Sequence, residues 1–168
     1  VNLDEDAPEE QILVSYSSEN VETPIRMVVV DFDPLRNVFF VSWRSDVQAI
    51  SKNHVSLDVF DIIGDQRQEI LLLGMDATGR QTIDVFRRDP GYQQGLLFTS
   101  VFSQSALGLI EIQQRARSEA YQNGQMDDAS FPILIEEDDP DPEAGPLDTI
   151  RTTWIWRFQD NTFIPSLI

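Results

Sequence analysis

Two short stretches of the chain space oxygen-bearing side chains in a pattern suited to a hard cation. Between Asn2 and Glu10, the residues Asn2, Asp4, Asp6 and Glu10 fall at relative positions 1, 3, 5 and 9. Between Asp61 and Glu69, the residues Asp61, Asp65 and Glu69 take positions 1, 5 and 9, with Ile63 at the third. Side chains at the first, third and fifth positions of a tight loop converge on one point, and a carboxylate at the ninth closes the shell from the next strand. Short loops supply Ca²⁺ with its oxygen ligands in this way. The first loop is therefore a candidate Ca²⁺ site, and the second, one ligand short, a weaker one, with structural turns the reading preferred for both. The competing reading needs no metal: the carboxylates accept backbone N–H bonds, and Gly64 supplies a left-handed turn.

Other chemistry-bearing residues are sparse. The single histidine, His54, sits in a polar connection with no nucleophile beside it and reads as a surface turn residue. Asp138 and Asp139 form a carboxylate pair of the kind glycosidases use, but they lie in a proline-rich segment with no rigid strand to fix their separation. Trp154, Trp156 and Phe158 alternate and so share one face of a strand, where they read as a core stripe rather than a stacking platform. Phe39, Val41 and Trp43 make the equivalent stripe earlier in the chain. Arg115 and Arg117 are expected to pair with nearby acids.

Composition narrows the classes further. The 168 residues carry 12 Lys and Arg against 29 Asp and Glu, a formal charge of −17, with no cysteine. A chain this acidic offers no broad phosphate-neutralising surface, so nucleic acid is not an expected partner. Disulfides, thiol nucleophiles and Cys-based zinc sites are excluded outright. The acidity is local, since 14 of the 29 acids fall in residues 1–22 and 136–148, which hold no base. No apolar run is long enough for a membrane-spanning helix, and no basic segment followed by an apolar one marks a signal peptide. The opening on an acidic stretch reads as a mature or excised fragment.

The elements that must hold these residues are strands. Short β-branched and aromatic runs recur between turn residues, which predicts an all-β domain. Eleven strands are expected: 11–16, 26–32, 38–43, 56–61, 69–74, 82–87, 96–102, 109–113, 131–136, 152–158 and 162–165. The runs 27–32 and 82–87 alternate as if one face were wet. A helix is expected over 113–122, stopped by Asn123-Gly124, and residues 136–146, with three prolines, are expected as an exposed loop.

The two acidic loops are each followed at once by an apolar strand and then by a hairpin, so the chain repeats with a period of roughly 55–65 residues. The repeats lie at about 2–45, 57–103 and 105–168 within one domain, the third lacking the acidic loop. The run Asp61-Ile-Ile-Gly-Asp-Gln-Arg-Gln-Glu-Ile70 resembles a degenerate D-x-D-G-D-x-x-x-[DE]-[IL] loop of FG-GAP/VCBS repeats, the blade units of integrin-α-like β-propellers. Together with Gly74-Met75-Asp76, the run Gly79 to Arg87, Ser118 to Gly124 and Ser130 to Ile133, it resembles the pallilysin-related adhesins among spirochaetal surface lipoproteins. The resemblance implies an extracytoplasmic protein, at the outer-membrane surface or in the periplasm, anchored through a lipidated N-terminus outside these residues. It implies a protein partner or a host extracellular component. Pallilysin's H-E-x-x-H zinc motif has no counterpart here, because there is only one histidine, so protease activity does not carry over.

The fold expected is thus all-β, antiparallel repeats resembling an incomplete β-propeller with one short helix, or alternatively a β-barrel. The function expected is a non-enzymatic binding or assembly module, with no cofactor unless Ca²⁺. The alternatives are a Ca²⁺-stabilised structural domain and a hydrolase using acidic-loop carboxylates.

Overall fold

A computed structural model describes residues 1–3, 9–92, 95–141, 143–145 and 148–166. Its eleven strands form three antiparallel sheets in chain order. Sheet A contains β1 (Gln11–Tyr16), β2 (Ile25–Asp33) and β3 (Val38–Asp46). Sheet B contains β4 (Ser56–Phe60), β5 (Glu69–Met75), β6 (Gln81–Arg88) and β7 (Phe98–Ala106). Sheet C contains β8 (Ile110–Ile112), β9 (Ile133–Asp138), β10 (Thr149–Arg157) and β11 (Thr162–Pro165). Every sheet is a meander in which sequential strands are neighbours. The fold is all-β, and the barrel alternative is overturned: the strands form three separate sheets with no closure.

The sheets stack face to face, with B in the middle. Ile70, Leu72, Phe86 and Phe98 of sheet B pack with Ile25, Met27 and Val29 of sheet A in one core. Leu71, Ile83, Val85 and Phe102 of sheet B pack with Ile133, Ile135, Trp156 and Phe163 of sheet C in the other. This explains the unbroken apolar run Ile70-Leu71-Leu72-Leu73, because alternate residues of β5 point to opposite faces and both faces are covered. It also corrects the wet-face reading of residues 82–87: β6 is buried on both sides, Thr82 and Asp84 included, with Asp84 accepting the Gln48 N–H from the segment after β3. On β2, Asp31 is buried likewise.

A β-bulge falls at the same place in two sheets. In sheet A the register shifts between Val29 and Val30, whose partners are Trp43 and Val41. In sheet B it shifts between Val85 and Phe86, whose partners are Phe102 and Ser100. The extra residue, Ser42 or Val101, reverses which side chains face inward. The expected stripe of Phe39, Val41 and Trp43 is therefore broken: Trp43 points into the core against Phe86 and Phe98, at ring distances of 5.1 and 5.2 Å, while Phe39 and Val41 point out to solvent. In sheet C the Trp stripe is mostly core. Trp154 packs edge-on to Phe102, Trp156 is buried against Phe163, and Phe158 at the strand end is exposed.

The helix is shorter than the composition suggests. Only α1 (Glu119–Gln122) forms, with Ser118 as N-cap, its hydroxyl accepting from the Tyr121 N–H. Residues 113–118 take no regular secondary structure: the Gln113 N–H bonds the Pro132 carbonyl and Arg117 reaches into the neighbouring loop. The expected loop over 136–146 starts late: Glu136 to Asp138 continue β9, where Arg151 of β10 pairs with Glu136 at 2.6 Å.

Candidate functional site

The loop from Asp61 to Glu69 draws its carboxylates together, but toward protein donors. Asp61 Oδ1 accepts the N–H groups of Gly64 at 2.5 Å and Asp65 at 3.3 Å; Oδ2 accepts the Gln66 N–H at 2.7 Å and the Tyr121 hydroxyl at 2.9 Å. Gly64 makes this turn possible with a φ of +95°, and a Cβ there would lie 2.8 Å from the Asp127 Cβ. Glu69 opens β5 with no exposed surface. Its Oε2 accepts the Ile62 and Ile63 N–H groups at 3.2 and 3.4 Å, and its Oε1 has no hydrogen bond.

Two arginines supply the positive charge. Arg87, from β6, donates to Asp65 at 2.5 Å, lies 3.9 Å from Glu69 Oε1 and stacks over Trp156. Arg117 donates to Asp127 at 3.2 Å, to the Ala129 carbonyl and to the Asp61 carbonyl, with its guanidinium 3.7 Å from the centre of the Phe131 ring. Burial, followed by the negative charges of Asp65 and Asp61, pushes the Glu69 carboxyl up to about 9, so it is protonated at neutral pH. Burial pushes Asp127 the same way, but hydrogen bonds led by Ser118, with Asp128 and Arg117, outweigh it and hold Asp127 at about 2. Burial and the Asp61 acceptor push the Tyr121 hydroxyl up to about 12. With Glu69 neutral, the cluster sets Asp61, Asp65 and Asp127 against Arg87 and Arg117.

As arranged, this loop does not fit a Ca²⁺ ion. Ile63, at the third position, is wholly buried in the core between sheets B and C. The Asp61 oxygens are taken by N–H and O–H donors, and the positive charge beside Asp65 and Glu69 is already supplied by the Arg87 guanidinium. Among the described residues no group of three acids or histidines is arranged to hold a metal. In the first loop, Asp4 and Asp6 lie outside the described residues. Glu10 there is buried and accepts the Leu3 N–H, as Glu69 accepts that of Ile62, while Asn2 is exposed.

The remaining sequence candidates lie apart. His54 is exposed in a turn, its Nδ1 3.0 Å from the Ser51 hydroxyl. Asp138 ends β9 at the surface, and the Asp139 N–H bonds the Asp148 carbonyl. Arg115 lies 3.9 Å from Asp128, so both arginines meet acids, though from an irregular segment rather than a helix.

Sequence reading missed two features. One is an open cleft of about 360 Å³ beside sheets A and B, lined by Asp46, Gln48, Asp84 and Ser103 among others. Burial raises the Asp84 carboxyl, against the opposing effect of the Ser103 hydroxyl at 2.5 Å and the Gln48 N–H at 3.0 Å. The acid was visible in the sequence but read as solvated. The other is the outer face of sheet A. There Leu13, Val28, Val30, Phe32, Phe39 and Val41 share one side by register, and Leu13, Phe39 and Val41 are 49%, 58% and 57% exposed. The outer face of sheet C instead carries Glu111, Glu136, Arg151 and Thr153 around Leu134 and Ile155. The bulge at Ser42 hid the sheet A surface from any count by twos. Comparison with known protein families, with curated proteins and with solved structures finds no match to this chain.

Proposed function

We propose that the chain is a non-enzymatic binding or assembly module, extracytoplasmic and of bacterial lipoprotein type, that contacts a protein through the outer face of sheet A. The observation that carries the reading is the contrast between the ends of the stack. The outer face of sheet C centres on the Arg151–Glu136 pair, whereas that of sheet A groups six apolar side chains, with the Arg26–Asp46 pair and Arg44 confined to one end, and nothing covers them among the described residues. Such patches mark interaction surfaces. The resemblance to spirochaetal adhesins supports a host extracellular protein as the partner. The carboxylates at the loop are bound to turn N–H groups and to arginines, which suits a structural role there rather than a hydrolase.

The test is solid-phase binding of the wild type and of a Phe39→Lys/Val41→Lys variant to purified extracellular-matrix proteins. Saturable binding that falls at least tenfold in the variant is expected. Equal binding by both, or none by the wild type, overturns the reading. Melting in Ca²⁺ and in EDTA separates the Ca²⁺-stabilised alternative: the module reading expects the same midpoint in both, and a midpoint raised by Ca²⁺ would favour the alternative.

A further inference from the structure

Sheet B carries an acid where sheet A has an apolar residue. One residue before the bulge, Val28 of β2 stands between Leu13 and Arg44; in the same place Asp84 of β6 stands between Leu72 and Ser103. Asp84 is only 4% exposed, yet no cation pairs with it among the described residues. Asp61, Asp65 and Asp127, by contrast, each lie within 4.0 Å of Arg87 or Arg117. The Asp84 partners are neutral: Oδ1 accepts the Ser103 hydroxyl at 2.5 Å and Oδ2 the Gln48 N–H at 3.0 Å. A buried carboxylate with no counter-ion is costly, and burial raises this one.

Asp84 lines the open cleft of about 360 Å³ beside sheets A and B. Each carboxylate oxygen has about two acceptor positions, so one neutral donor on each leaves one more on each, side by side. The bulge at Val101 turns Ser100 and Ser103, opposite Phe86 and Asp84, to the same face. The Gln48 side chain donates to the Ser103 hydroxyl, which fixes that hydroxyl as a donor to Asp84. Phe86 and Val47 give the cleft an apolar wall, Glu22 and Asp46 add acid, and no lysine or arginine lines it among the described residues.

We infer that this cleft takes an arginine side chain of the protein that covers sheet A's outer face. A guanidinium donates two parallel N–H bonds to one carboxylate, matching the two acceptor positions left on Asp84. Its flat faces also suit the Phe86 wall, whereas a lysine ammonium is a compact, strongly hydrated point charge. Asp46 lines the cleft and, paired with Arg26 at 2.8 Å, marks the end of the outer face, so one partner reaches both. The inference rests on the module reading and adds a basic residue to its partner.

The probe is N-acetylarginine methylamide, titrated onto the 168-residue chain and followed by amide shifts in nitrogen–proton spectra. Saturable shifts are expected at Gln48 and Ser103. N-acetyllysine methylamide should bind at least tenfold more weakly, and Asp84→Asn should weaken both the arginine probe and matrix-protein binding at least tenfold. If Asp84→Asn does not fold, the two probes on the wild type decide. Unmoved amides at Gln48 and Ser103, equal binding of the two probes, or a folded Asp84→Asn that binds as the wild type does overturns the arginine cleft. So do shifts as large around Asp138 and Asp139, which would assign the binding to the net charge alone. Failure here with matrix-protein binding still lost in Phe39→Lys/Val41→Lys leaves the module reading standing; failure of both removes it.

Discussion

Glu69 is the residue whose chemistry differs most from what its type suggests. Buried with one oxygen lacking a hydrogen bond, its carboxyl is pushed from 4.5 up to about 9. The folded state therefore holds a proton that the unfolded chain releases above pH 4.5, so this group's stabilising effect is full below that value and is lost as pH rises toward 9. The loss is progressive across that window, because each step up in pH favours the unfolded chain that has released the proton. Glu69→Gln keeps the shape without the titration, so its stability relative to wild type, from urea unfolding at pH 5 and pH 8, should rise with pH; a constant difference would show that Glu69 is ionised in the fold. Arg117 makes the opposite kind of contribution. It is the guanidinium between Asp61 and Asp127 and against Phe131, and Arg117→Ala leaves a buried Asp127 carboxylate without its cation. A loss of about 3–5 kcal/mol in unfolding free energy is expected.

At the scale of elements, β5 and β1 occupy matching places after their loops yet have opposite environments. β5 has a strand on each side and a sheet on each face, so Leu71→Ala opens a cavity between sheets B and C and should cost about 2–5 kcal/mol. Leu13→Ala on β1 removes a half-exposed side chain and should change stability by no more than about 0.5 kcal/mol. Paired denaturation curves check both, and a large loss for Leu13→Ala would mean that something covers sheet A's face in solution. Eleven strands were legible from alternation and turn residues such as Asn37, Gly79 and Asn161, all at positive φ. Gln, Arg, Ala and Glu favour helix locally, while Arg117's contacts with the Asp61 and Ala129 carbonyls tie the segment before α1 to the neighbouring loops and leave only four helical residues.

For the whole molecule, the stacking of A on B on C makes the middle sheet the stable part and turns the two ends into surfaces of different kinds. Phe39→Lys/Val41→Lys changes only the outer face of sheet A, so its melting midpoint, followed by circular dichroism, should stay close to that of the wild type. The net charge of −17 is consistent with this division. Two of the three carboxylates singled out in the second loop pair with arginines inside the fold, and the proline-rich loop after β9 carries four acids and no base.

The sequence by itself determined the all-β class, the strands and their repetition, because side-chain alternation and turn chemistry are local properties that each segment carries alone. It also placed Asp61, Asp65 and Glu69 in one loop. Only the tertiary structure decided what those carboxylates do, since Arg87 lies 18 residues beyond Glu69 in the chain and Arg117 a further 30. Only the bulge at Ser42 decided that Phe39 and Val41 face solvent while Trp43 faces the core, because one unpaired residue reverses every side chain beyond it.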